Sequence, residues 1–150
     1  MTSRNTFFAL VAVTALATAA PLHAAEHPNF GGTWKMNESA RLPGSTGPRE
    51  VVLTIEQQEP SFRYDAKGRM PNYARFSEEY SFTTDGKVPT GDAKVKVVAQ
   101  WDGDVLVTRY LIGGDEAFVV RYKLSADGRQ LTREQTMKGK RLALDTYDRQ

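Results

Sequence analysis

Along most of this chain apolar and polar residues alternate with a period of two, in short runs broken by turn-forming residues, the pattern of half-buried β-strands. Residues 30–35, Phe-Gly-Gly-Thr-Trp-Lys, open the series. Residues 37–49 hold Pro43, Gly44, Gly47 and Pro48 among small polar residues, so a loop is expected there. Residues 50–58 read as a strand with Val51, Leu53, Ile55 and Gln57 on one face, ended by Pro60. Residues 61–65 give a short strand with Phe62 and Tyr64 on one side, and residues 66–73 a connection. Residues 76–83 set Phe76, Glu78, Tyr80 and Phe82 against Ser77, Glu79 and Ser81, and Asp85-Gly86 then opens a loop to Asp92.

The second half reads as a cleaner meander. Residues 94–101 and 104–112 flank Asp102-Gly103, a strong hairpin signal. A two-residue Asp-Gly turn sets Trp101 opposite Asp104, Ala99 opposite Leu106, Val97 opposite Thr108 and Val95 opposite Tyr110. The inner face is then Val95, Val97, Ala99, Trp101, Leu106, Thr108, Tyr110 and Ile112, with Lys94, Lys96, Gln100 and Arg109 outward. Gly113-Gly114-Asp115 leads into residues 116–124, with Phe118, Val120, Tyr122 and Leu124 inside. After Asp127-Gly128, residues 130–137 and 141–147 close around Lys138-Gly139, so that Leu131, Arg133, Gln135 and Met137 are expected over Leu142, Leu144 and Thr146. Eight or nine short antiparallel strands, with no window of helical period to cover a sheet face, predict an all-β, up-and-down antiparallel barrel of about eight strands. A β-sandwich needs a long crossover, whereas this half of the chain has tight hairpins.

The start of the chain has a different character. Arg4 precedes an apolar stretch, residues 7–20, and Pro21-Leu22-His23-Ala24-Ala25 ends it in small residues, the layout of a secretion signal peptide over residues 1–25 cleaved after Ala24 or Ala25. The apolar stretch is shorter than the ~20 residues of a membrane span. The expectation is one domain, residues 26–150, in the periplasm or secreted. Without Arg4 the balance is 19 basic against 18 acidic residues, which gives no electrostatic footprint for nucleic acid. The absence of cysteine excludes disulfides, thiolate chemistry and Cys-held metals, so packing and sheet closure must stabilise the fold.

Catalytic and metal chemistry find little to work with. His27 is the one histidine beyond the leader, which argues against a Ser-His-Asp triad or a histidine metal site. Gly44-Ser45-Thr46-Gly47 lacks the lysine of a phosphate loop. Asp102 and Asp104 bracket a hairpin glycine, and turn chemistry accounts for Asp102. Asn37-Glu38-Ser39 spells a glycosylation sequon and carries no weight behind a bacterial-type export leader. No catalytic residue, metal or cofactor is therefore expected.

Gly32-Thr33-Trp34 resembles the Gly-x-Trp motif opening the first strand of lipocalins and other calycins, and residues 30–35 are similar to the start of the fatty-acid-binding type. The chain from residue 26 onward resembles exported bacterial lipocalin-like proteins of unassigned function, through Gly32-Thr33-Trp34-Lys35, Trp101-Asp102-Gly103-Asp104 and Tyr147-Asp148-Arg149 in that order. The resemblance implies a structural role for Gly32 and Trp34, with Trp34 packed across the closed barrel end against a basic residue near the C-terminus. Arg149 is the best match and Arg141 a weaker one. The chain departs from the family in lacking a C-terminal helix and a disulfide, and its 37–49 loop is too rich in Pro and Gly for a two-helix lid.

The remaining chemistry lies in polar residues in phase with the inner face: Arg133 and Gln135, with Tyr110, Tyr122, Glu78 and Tyr80. A charged arginine in a dry core costs several kcal/mol unless paired. Arg133 therefore faces an acid such as Glu78, a wet cavity or an anionic head group, unless the strand is one residue out of phase and Arg133 faces solvent. In fatty-acid-binding proteins inward Arg and Tyr hold a carboxylate, and Arg133 with Tyr110 or Tyr122 resembles that arrangement. Three readings follow: a carrier of a small apolar or amphiphilic ligand, an inhibitor-like interaction module with a filled barrel, and an enzyme using Tyr, Glu and Arg. The third has no base with a visible partner. An interior volume above about 300 Å³ separates the first from the second.

Overall fold

The computed structural model describes residues 27–44 and 46–150; the signal peptide expected over residues 1–25 lies outside them. Nine strands run in chain order: β1 (Gly32–Met36), β2 (Arg49–Gln58), β3 (Ser61–Arg69), β4 (Arg75–Thr83), β5 (Val95–Asp102), β6 (Val105–Ile112), β7 (Asp115–Leu124), β8 (Gln130–Met137) and β9 (Lys140–Arg149). A 3-10 turn, Glu38–Ala40, capped by the Asn37 side chain, follows β1. All pairings are antiparallel, in the order β4-β3-β2-β1-β9-β8-β7-β6-β5. First and last strands thus pair, and the ring is nearly closed. Its one seam lies between β4 and β5, crossed by an isolated bridge from Asp85 to Gln100.

The alternation expected from sequence places the core. Val51, Leu53 and Ile55 of β2, Phe62, Tyr64 and Ala66 of β3, Leu106 and Tyr110 of β6, Val120 and Tyr122 of β7 and Leu131 of β8 are all buried. β3 runs on to Arg69, through residues expected to be a connection, because Ala66 continues the buried face and Lys67 to Arg69 keep their partners on β4.

Two hairpins differ from expectation. Asp102 pairs with Val105, so the turn is Gly103-Asp104, and Ala99 meets Thr108 while Val97 meets Tyr110. Gly103 takes φ +58° at the first turn position, where a type II′ turn wants glycine, and this draws Asp102 into the strand. The register moves by two residues, so every side chain keeps its face. Ile112, expected inside, is nonetheless exposed, at the end of β6.

In the β8–β9 hairpin the change is larger. Thr136 pairs with Arg141 but Gln135 pairs with Ala143, leaving Leu142 as the extra residue of a bulge. One extra residue inverts the phase of the strand beyond it. Leu131 therefore faces Tyr147, Arg133 faces Asp145 and Gln135 faces Ala143, in place of the expected Leu142, Leu144 and Thr146. Leu142 and Met137 are exposed at the hairpin tip.

Candidate functional site: a polar cavity in the barrel

One end of the barrel is sealed by packing. Trp34 is fully buried, its Nε1 donates to the Phe30 carbonyl at 2.8 Å, and the Arg149 guanidinium lies 4.2 Å from its ring centroid. The β1–β9 register sets Trp34 opposite Arg149, which also donates to the carbonyls of Gly31 (2.8 Å) and Gly128 (3.0 Å). Gly32 has φ +129°, and a Cβ there would stand 3.0 Å from the Arg149 Nη1, so a side chain would be strained and would press on the guanidinium. Arg141 lies elsewhere, paired with Glu134 at 2.6 Å. Phe30, whose carbonyl Trp34 holds, packs against Phe62 and Trp101, and Phe62 stacks on Phe82.

Toward the other end the interior opens into a cavity of about 240 Å³. Val51 and Leu53 of β2 form an apolar wall. Met36 of β1, Pro48 before β2, Tyr64 and Ala66 of β3, Phe76 and Glu78 of β4, Phe118 of β7, Arg133 and Gln135 of β8, and Asp145 and Tyr147 of β9 complete it. Of the residues singled out from sequence, Arg133, Gln135 and Glu78 line this cavity. Tyr80, Tyr110 and Tyr122 do not: Tyr122 is buried, and Tyr80 and Tyr110 belong to an aromatic chain in which Tyr80 meets Tyr64 at 5.6 Å and Tyr110 at 5.2 Å, and Tyr110 stacks on Phe118 at 4.4 Å.

Arg133 points inward, its side chain 15% exposed, and the acid it faces is Asp145 rather than Glu78. The bulge at Leu142 brings Asp145 into that position, which is why strict alternation from the turn missed it. Arg41, from the loop after the 3-10 turn, approaches Asp145 from the other side at 4.0 Å; its loop has no periodicity to mark it. Tyr64, also part of the lining, was legible only as an inward aromatic residue, and Tyr147, out of phase with the expected inner face, is turned inward by the same bulge.

These contacts leave Arg133 loosely held. Its Nη1 stands 3.8 Å from Asp145 and its Nη2 3.5 Å from Gln135, against 2.7–2.9 Å for a good charge-assisted hydrogen bond. The hydroxyls of Tyr64, Tyr110 and Tyr122 are buried with no hydrogen-bond partner. Burial pushes the Tyr64 and Tyr110 hydroxyls far above their ordinary value, with neighbouring Tyr122 adding to the effect, so both are donors at any physiological pH. Burial likewise raises Tyr147, against the pull of Arg133. Asp145 is raised by burial, with Arg133 and Arg41 opposing. Chemically, the cavity combines an apolar wall with a guanidinium and the unpartnered Tyr64 hydroxyl, and the unpartnered hydroxyls of Tyr110 and Tyr122 are buried outside its lining.

No known family model matches the chain, and no curated protein matches it. Solved structures do. Human cRBP IV superposes with a TM-score of 0.60 at 16% identity over 82% of this chain and 99% of its own. The wild-type fluorescent protein UnaG gives 0.58 at 18% identity, over 81% and 97%. The REP1-NXSQ fatty acid transporter gives 0.57 at 13%, over 80% and 95%. At these identities the likeness is one of fold: an all-β, nearly closed antiparallel barrel, here with nine strands where about eight were expected.

Proposed function

We propose that this chain is an exported carrier whose barrel takes a compact amphiphilic ligand, its carboxylate anchored at Arg133. The observation that carries the reading is the inward guanidinium, loosely paired inside a cavity beside Val51 and Leu53. A ligand carboxylate can accept two parallel bonds from such a fork. The fatty acid transporter among the structural neighbours makes the ligand class reasonable for this architecture. Export through residues 1–25, a single domain over 26–150 and a periplasmic or extracellular location belong to the same proposal. So does the absence of catalysis.

The volume bears on ligand size. About 240 Å³ lies below the 300–1,000 Å³ of most small-molecule sites, which points to a short ligand rather than a long-chain lipid. The same small volume favours a second reading, an inhibitor-like interaction module whose barrel is filled. Unpartnered hydroxyls and a loosely held arginine count against it, because a barrel filled for stability alone has no use for them. Native mass spectrometry of protein purified gently from its export compartment separates the two. The carrier reading expects a discrete added mass that is lost on denaturation and absent from Arg133→Leu. An apo mass with no uptake from offered short-chain acids overturns it.

A further inference from the structure

We infer that the cavity is bipolar: opposite the acid anchor at Arg133, Glu78 binds an amine, so that the ligand is a compact zwitterion rather than a simple fatty acid. This rests on the reading of Arg133 as the acid anchor and adds a second pole to it. In the ring of nine strands β4 and β8 stand five places apart in one direction and four in the other, so Glu78 and Arg133 lie on facing walls of one cavity.

The charges of the two walls are unequally matched. On the Arg133 side two guanidiniums, Arg133 and Arg41, flank Asp145, and Arg41 also pairs with Glu38 at 3.4 Å. Glu78 has no ion-pair partner among the described residues. Its sequence neighbour Glu79, on the outer face of the same strand, is paired with Arg63 at 2.9 Å. The outward glutamate thus has its arginine, and the inward one, half-buried, has none.

The surroundings of Glu78 suit a cation. Phe76 and Tyr80 flank it on β4, Tyr64 and Phe118 line the same cavity, and aromatic faces attract ammonium groups. The charge of Glu78 already helps to raise the Tyr80 hydroxyl, after burial. A monoanion docked on Arg133 would add a further acidic group to a cavity already lined by Glu78 and Asp145. A ligand with an ammonium at its far end instead gives each wall a partner across a low-dielectric space.

The test uses three probes of one length, hexanoate, hexylamine and ε-aminohexanoate, titrated calorimetrically at neutral pH into the protein, Glu78→Gln and Arg133→Gln, each checked for fold by circular dichroism. The proposal expects ε-aminohexanoate to bind the unmodified protein at least about ten-fold tighter than hexanoate. Glu78→Gln should reverse the order, weakening ε-aminohexanoate and hexylamine while tightening hexanoate. If hexanoate binds through Arg133 and the amine adds nothing, or Glu78→Gln leaves the ratio unchanged, the second pole is wrong and the carrier reading stands. If no probe binds, the carrier reading falls and the zwitterion with it.

Discussion

The two halves of the barrel interior are made by the same strands, often by residues two apart, yet they are finished in opposite ways. β3 gives Phe62 to the sealed end and Tyr64 to the cavity; β8 gives Leu131 to the one and Arg133 to the other. At the sealed end donors find acceptors: Trp34 Nε1 has the Phe30 carbonyl, and Arg149 has Gly31 and Gly128 as well as the indole face. Trp101 Nε1 is the orphan there. Around the cavity three tyrosine hydroxyls have no partner, and the arginine reaches its acid at 3.8 Å. An unmet buried donor costs about 1–3 kcal/mol, so this half carries a stability cost that the other half offsets. The difference teaches which half folds the molecule and which half is held ready for something else.

The sharpest way to break that comparison is at Trp34. Trp34→Ala should cost about 3–5 kcal/mol, because it empties the largest fully buried side chain and frees Arg149 from its seat. At ~2–4 °C or more per kcal/mol for a domain of this size, the thermal midpoint should fall by well over 5 °C. A shift of a degree or two would mean that the closed end does not hold the fold. Arg149→Lys, which keeps the charge but not the fork over the indole, should cost less, about 1–2 kcal/mol.

Sealed end and cavity were not equally legible. Period-two alternation marks Val51, Leu53, Ile55, Phe62 and Tyr64 without ambiguity, and a first strand pairing with the last is enough to bring Arg149 to Trp34. A turn misplaced by one residue at Gly103 shifts the register by two and does no harm, since the faces survive. The Leu142 bulge is a single extra residue, and nothing in the local run Arg-Leu-Ala-Leu-Asp announces it. It alone decides whether Asp145 or Leu144 faces Arg133. The site was therefore half visible, with the arginine in phase and its acid hidden behind a bulge. Arg41, in an aperiodic loop, could not be placed before the chain was folded.

A middle-sized effect tests the cavity half directly. Tyr110→Phe removes a buried hydroxyl with no partner and keeps the ring that stacks on Phe118. The substitution should leave stability unchanged or raise it by up to about 1–3 kcal/mol in the apo protein. Tyr64→Phe should behave alike, and, because Tyr64 lines the cavity, it should also weaken an anionic ligand several-fold. Denaturant melts of the apo variants check this. A clear destabilisation would show that the hydroxyls are satisfied in solution and that the interior is no readier for a ligand than the sealed end.

The smallest effect sharpens the comparison by pH. Asp145 has its pKa raised by burial above the ordinary 3.8, more than Arg133 and Arg41 draw it down. Between 3.8 and that raised value the folded chain binds more protons at this carboxyl than the unfolded chain does, so its contribution to stability declines as pH rises through the window and is flat above it. A carboxylate well paired with two arginines would show the reverse, losing stability as pH falls. Asp145→Asn should remove the decline and leave the remaining carboxylates to set the pH profile. Thermal midpoints of both proteins, taken from pH 4 upward, give the sign by difference. If the unmodified protein instead gains stability relative to Asp145→Asn as pH rises through this window, Asp145 is a tightly held counter-ion. Arg133 is then already satisfied, and a ligand carboxylate would have to displace its partner rather than fill an open place.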